Sequence, residues 1–171
     1  TPLGAGTVLG HEFAGIVSQS ASDAFAPGDR VIGLPLRECA ECRHTGTGCK
    51  DGLGIYCPKN KIIGLAPDVP GGYAEYLAMP AHYAMKVPDG LDLKLAALTE
   101  PLAVGLHAVQ AAGSVLGARV TIIGAGPIGL SVLLFAKAGG ARRIVVAEPL
   151  VVCPVEAPGE VAQRGRRVPR D

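Results

Sequence analysis

Apolar positions in the first third of the chain come in short runs, broken by glycine, proline and aspartate, from Val8 to Leu34. That pattern predicts short strands and tight turns, the signature of a small all-β unit. Ile16-Val17 and Val31-Ile32-Gly33 are its expected strands, with Pro27-Gly28-Asp29-Arg30-Val31 as the turn into the second. Gly71 to Leu77 predicts a turn feeding another strand, and Ala84 to Gly90 a strand ending in a turn. The periodicity then lengthens. Asp92 to Leu98 predicts a helix, and a second is expected to start at Pro101 and run through Leu102, Val104, Leu106 and Val109 to a stop at Gly113. Val120-Thr121-Ile122-Ile123 is a continuous apolar run of the kind buried in a parallel sheet. A glycine turn, a helix over about 129–138 and the run Ile144-Val145-Val146-Ala147 follow it. From Leu150 to Asp171 the helical period is lost among Pro154, Pro158, Pro169 and four arginines. This tail is expected to be atypical, either disordered or the product of a shifted reading frame.

Composition narrows the function classes. An apolar fraction of 49% over 171 residues supports a real core. A net charge of +1 with 4% aromatics offers neither a basic surface nor stacking platforms, which argues against nucleic acid as a partner. The longest apolar region, Val120 to Ala138, is interrupted by Gly124-Ala125-Gly126-Pro127 and carries Lys137, so it does not predict a membrane span. Four of the five cysteines lie within nineteen positions, a spacing that suggests metal binding in a reducing compartment, hence a cytoplasmic protein. The chain opens on Thr1-Pro2, almost directly on its first chemical motif, and is expected to lack its natural N-terminus.

That motif is Gly10-His11-Glu12-Phe13-Ala14-Gly15. A single histidine in an apolar stretch is by itself more often a core residue than a ligand. The second constellation is Cys39-Ala40-Glu41-Cys42, then Cys49, then Cys57. Thiolates two residues apart can grip one tetrahedral ion from a tight loop, and four close the coordination sphere. Two pairs of buried thiols are the alternative; a redox pair is disfavoured because no strand and helix flank it. The third is Glu100, just before Pro101, whose carboxylate either points into a cleft or compensates a helix dipole. His107 lies seven positions on, about 10 Å along a helix, and is not expected to share an ion with it.

The fourth constellation is Gly124-Ala125-Gly126-Pro127-Ile128-Gly129, which follows a strand and opens a helix. A second strand then ends in Glu148, nineteen positions after Gly129. This is the context of the dinucleotide fingerprint. Gly124 allows the turn, Gly126 the approach of the pyrophosphate, and Gly129 close packing of helix on strand. The helix N-terminus at Pro127 and Ile128 faces the phosphates. Glu148 is expected to accept from the adenosine ribose and to repel a 2′-phosphate, favouring NAD; Arg142 and Arg143 precede the strand and are poorly placed to reverse this. A surface carboxylate at a strand end is the alternative for Glu148.

Together these motifs resemble the zinc-dependent medium-chain alcohol dehydrogenases, of the polyol, butanediol or threonine dehydrogenase kind, from about Leu9 to Glu148. The resemblance implies a partial GroES-like catalytic domain over residues 1–113 with a structural zinc lobe at 39–57, and a partial Rossmann NAD-binding domain over 114–149. It implies that His11 and Glu100 hold a catalytic zinc. Glu12 takes a labile or outer role, because adjacent residues on a strand point to opposite faces. Cys39, Cys42, Cys49 and Cys57 would hold a structural zinc, although six residues separate Cys42 from Cys49 where the family usually has two, which leaves His44 as a substitute ligand if the loop folds differently.

The implied reaction is oxidation of a secondary alcohol or polyol with hydride transfer to NAD. Full-length relatives are homo-oligomers. The family's cysteine ligand lies upstream of Gly10 and has no counterpart in this chain, so the chain is expected to be inactive by itself. Two other readings stand beside this one. A non-catalytic zinc-binding or NAD-sensing module explains the cysteines and the glycine turn, but leaves His11 and Glu100 unemployed. A zinc-free quinone-reductase relative would lack the cysteine lobe and the histidine.

Overall fold

A computed structural model describes residues 6–40 and 56–148. Cys42, His44, Cys49 and the tail from Pro149 to Asp171, and with them the stretched loop and the atypical end, lie outside the described residues. The chain divides into two compact units, Thr1–Glu100 and Pro101–Asp171.

The first unit is built on a three-stranded antiparallel sheet. Strand β2 (Arg30–Gly33) lies between β1 (Ala14–Ile16) and β5 (Ala84–Lys86), with Gly15 opposite Val31 and Ile32 opposite Met85. The turn between β1 and β2 closes where the sequence places it. Gly28 takes a left-handed φ of 97°, and the Asp29 N–H donates to the Ala26 carbonyl at 3.0 Å. A second ribbon pairs β3 (Leu36–Arg37) with β4 (Lys61–Ile62). A 3-10 turn at Ala81–Tyr83 and helix α1 (Leu93–Ala96) complete the unit. The Asp92 side chain caps α1 by accepting from the Lys94 N–H at 2.7 Å. Ile63, Val69, Tyr83, Val87 and Ala96, along with Cys57, are the buried hydrophobic side chains of this unit among the described residues.

Asp29 also holds an ion pair with Lys86, at 2.8 Å, and accepts from the Ala26 N–H at 2.9 Å. The Lys86 contact first, and the Ala26 amide second, hold its carboxyl below the usual 3.8. A folded-state pKa lowered in this way contributes stability above 3.8 that is lost as pH falls through the lower folded value. Unfolding midpoints of Asp29→Asn measured from neutral pH downward are therefore expected to fall less steeply below about pH 4 than those of the parent.

The second unit is a strand-helix-strand unit preceded by a helix. Strands β6 (Arg119–Ile123) and β7 (Arg143–Ala147) pair in parallel, in register from Arg119 with Arg143 to Ile123 with Ala147. Helix α3 (Pro127–Ala138) connects them and buries Ser131 and Ala136. Ahead of them, helix α2 runs Thr99–Ala111, its first two residues falling in the first unit. Ser131 Oγ donates to the Leu102 carbonyl at 3.2 Å, and Gly105 on α2 leaves the space that Ser131 fills.

Four expectations need correction. Helix α2 begins at Thr99, not Pro101, so Glu100 stands inside its first turn rather than outside it. Proline is tolerated anywhere in that turn, because the first amides of a helix have no partner within it. For the same reason α3 begins at Pro127, two residues before the predicted start, with Gly126 as its N-cap. Tyr73 to Leu77 forms no strand, since its backbone meets no ladder partner among the described residues. β6 is covered on one face only: Ile122 is 6% exposed and Ile123 87%.

Candidate functional site

The Gly10 to Gly15 motif is anchored at both ends. Upstream, the Gly71, Gly72 and Tyr73 amides donate to the carbonyls of Val8, Gly10 and Leu9, each at 2.8 Å. The backbones lie this close because Gly10, at φ 99°, would drive a Cβ to 2.7 Å from the Tyr73 ring, while side chains on Gly64 or Gly71 would collide with the Gly10 backbone. Downstream, the Phe13 side chain packs over Gly33 and Gly72, where an added Cβ would collide with its ring at Gly33 and meet its Cβ at 3.0 Å at Gly72. β1 then begins at Ala14.

His11 and Glu12 are thus held between two fixed points and lie ahead of the strand. The alternation that sends neighbouring strand residues to opposite faces does not govern them. A ligand atom of His11, one of Glu12 and one of Glu100 all lie within 4.8 Å of one another, with His11 and Glu100 partly buried and Glu12 exposed. Both carboxylates therefore approach the imidazole, with Glu12 within the same reach as Glu100. Glu100 reaches the cluster from the first turn of α2, where the helix dipole favours its negative charge.

One imidazole nitrogen and two carboxylate oxygens suit zinc. An ion with ligand bonds of 2.0–2.2 Å draws its ligand atoms to about 3.4 Å apart, a closure within the reach of side-chain rotation. A separate cleft of about 610 Å³, lined by Phe13, Ile16, Tyr76, Leu77 and Met79 among others, contains none of the three ligand residues.

Of the cysteine lobe, Cys39 and Cys57 are described. Their Sγ atoms are 3.6 Å apart, well beyond the 2.03–2.05 Å of a disulfide and near the roughly 3.8 Å of two thiolates on one tetrahedral zinc. Cys57 is buried, with Cys39 packed against it. Sequence reasoning missed the side chains bonded to the backbone at and beside Cys39: Asn60 Oδ1 accepts from the Cys39 N–H at 3.0 Å and Tyr83 Oη from the Glu38 N–H at 2.8 Å. A lone asparagine and a tyrosine far along the chain carry no signal at that level.

In the second unit the glycine turn is tied to the end of β7. Gly124, at φ 101°, donates its N–H to the Ala147 carbonyl at 2.7 Å, and the Ala125 N–H donates to Glu148 Oε2 at 2.8 Å. A Cβ at Gly129 would collide with the Gly124 carbonyl, whereas one at Gly126 would meet nothing within 4 Å. Gly129 thus serves packing, and Gly126 leaves open space on the turn. Glu148 therefore touches the turn itself, which sequence spacing alone did not indicate.

Residues 1–89 match the family model for the alcohol dehydrogenase GroES-like domain. Among curated proteins, the chain is 37% identical over 147 residues to a sorbitol dehydrogenase of Bacillus subtilis, covering 84% of this chain and 40% of that protein. It is 41% identical over 140 residues to L-galactonate-5-dehydrogenase of Escherichia coli, covering 81% and 39%. Among solved structures, a candidate zinc-binding dehydrogenase from Sinorhizobium meliloti bound to NADP superposes with a TM-score of 0.75 at 34% identity, covering 88% of this chain and 43% of that one. L-idonate 5-dehydrogenase from Escherichia coli gives 0.72 at 34%, covering 85% and 42%. The chain spans about 40% of the length of the curated relatives it matches. Its match to the family model and its likeness to these dehydrogenases place the chain in the alcohol dehydrogenase GroES-like domain family, among the zinc-type alcohol dehydrogenases, with the GroES-like part followed by the first part of a Rossmann domain.

Proposed function

We propose that the protein from which this chain comes oxidises a secondary alcohol or polyol with NAD, using a zinc held by His11, Glu12 and Glu100. The observation that carries this reading is the convergence of those three ligand atoms to within 4.8 Å. When bound, the zinc supplies a Lewis acid that lowers the pKa of an alcohol substrate. His11 offers a neutral nitrogen, and the two carboxylates offset the ion's charge. Glu12, exposed beside two partly buried partners, is the ligand with most freedom to yield its place to substrate.

In the second unit, the amides opening α3 would meet the pyrophosphate, and Glu148 would accept from the ribose and oppose a 2′-phosphate, which supports NAD over NADP. The substrate class follows the relatives, whose names include sorbitol, L-galactonate and L-threonine dehydrogenases. Each of those compounds bears a secondary hydroxyl beside other polar groups. Among the described residues no helix is long and apolar enough to cross a membrane. A cytoplasmic location is supported by the clustered thiols, which a reducing compartment favours.

Metal analysis tests the reading. Protein loaded with zinc and dialysed is expected to hold one ion at the cysteine lobe and a second that is lost in His11→Ala. Retention of the same zinc content by His11→Ala would favour a non-catalytic zinc module instead.

A further inference from the structure

We propose that Asn60 and Tyr83 are positioning residues for the Cys39–Cys57 thiol pair, holding the two sulfurs at the separation of ligands on one soft divalent cation. The β3–β4 ladder pairs Leu36 with Ile62 and Arg37 with Lys61, and then ends. In that register Glu38 and Asn60 come next. Instead of the ladder continuing, two side chains take its donors: Tyr83 Oη accepts from the Glu38 N–H at 2.8 Å and Asn60 Oδ1 from the Cys39 N–H at 3.0 Å. Asn60 also donates its own N–H to the Cys57 carbonyl at 3.0 Å. One residue therefore grips the backbone of both cysteines.

Tyr83 is only 3% exposed, so its acceptor is presented from a fixed ring. The result is two sulfurs 3.6 Å apart, too far for a disulfide and close to the spacing zinc imposes. Two thiolates at that distance repel, so a chain that sets their spacing through the backbone reduces the ordering left for the metal to impose. The inference rests on the zinc reading of the cysteine lobe, but the backbone pin is measurable without metal.

The test compares Asn60→Ala with Asn60→Asp, which keeps an oxygen acceptor of the same length, and with Tyr83→Phe. Amide exchange is followed on metal-free protein, and zinc transfer to a chromophoric chelator on zinc-loaded protein. Asn60→Ala is expected to speed Cys39 amide exchange and zinc release about tenfold, the loss of one hydrogen bond. Asn60→Asp is expected to restore both to within about threefold, and Tyr83→Phe to deprotect the Glu38 amide. Amides of the second unit serve as the control and are expected to be unchanged. Zinc release unaltered in Asn60→Ala, or equally fast in Asn60→Asp, overturns the proposal. If the parent protein retains no zinc at this pair, the metal reading falls, and Cys39 exchange alone then decides whether Asn60 pins the cysteine.

Discussion

Gly71→Ala is expected to destabilise the first unit by about 3 kcal/mol and to weaken zinc binding at the His11 cluster, whereas Gly15→Ala, in the same constellation, is expected to be nearly neutral. Gly71 is buried, and a Cβ there would run into the Gly10 and Leu9 carbonyls and lie 2.6 Å from the Gly64 Cα. These are backbone atoms, which cannot rotate aside as a side chain would. Relief requires the 8–10 and 71–73 segments to separate, which breaks the three backbone hydrogen bonds that join them at 2.8 Å. His11 follows Gly10 directly, so the imidazole moves with that separation. Gly15 faces open space on β1 and has no left-handed φ. Denaturant midpoints and zinc titrations of the two variants measure the contrast. Equal midpoints would mean that the glycine contact does not hold the histidine.

The parts of this molecule legible in its sequence are those set by local chemistry. Pro27-Gly28-Asp29 encodes its own turn through a proline, a left-handed glycine and an aspartate that accepts the Ala26 amide. The run before Gly124 and the one before Glu148 encode two strands, because each is apolar, short and bounded by a glycine or acidic stop. The candidate ligands His11 and Glu100 were legible through motif resemblance, since 89 residues apart they have no local relation.

What was not legible depends on atoms brought together over long separations. Strand alternation could not decide between a labile and an outer role for Glu12, because the strand starts two residues later, at Ala14. The Tyr73 to Leu77 run has strand-like residues, but pairing is a property of the neighbour and not of the run. The roles of Asn60 and Tyr83 lie in bonds to backbone amides 21 and 45 residues away. No periodicity records such bonds.

Glu148→Ala is expected to weaken binding of both dinucleotides, NAD by about 10- to 100-fold, while Glu148→Gln keeps most NAD affinity and gains NADP affinity. The difference arises because the carboxylate proposed to meet the ribose is also joined to the turn. Oε2 accepts from the Ala125 N–H at 2.8 Å, beside the Gly124 to Ala147 bond at 2.7 Å, so the turn is fastened to the end of β7 at two consecutive amides. Alanine removes one fastening together with the charge. Glutamine removes the charge but retains an oxygen that can accept from Ala125. Repulsion of a 2′-phosphate depends on charge alone, whereas a turn ordered for the pyrophosphate depends on the hydrogen bond. Titrating each variant with NADH and NADPH by fluorescence separates the two. If alanine and glutamine bind NADPH equally well, the link to Ala125 does not order the turn. If the parent binds NADPH more tightly than NADH, the NAD assignment itself is overturned.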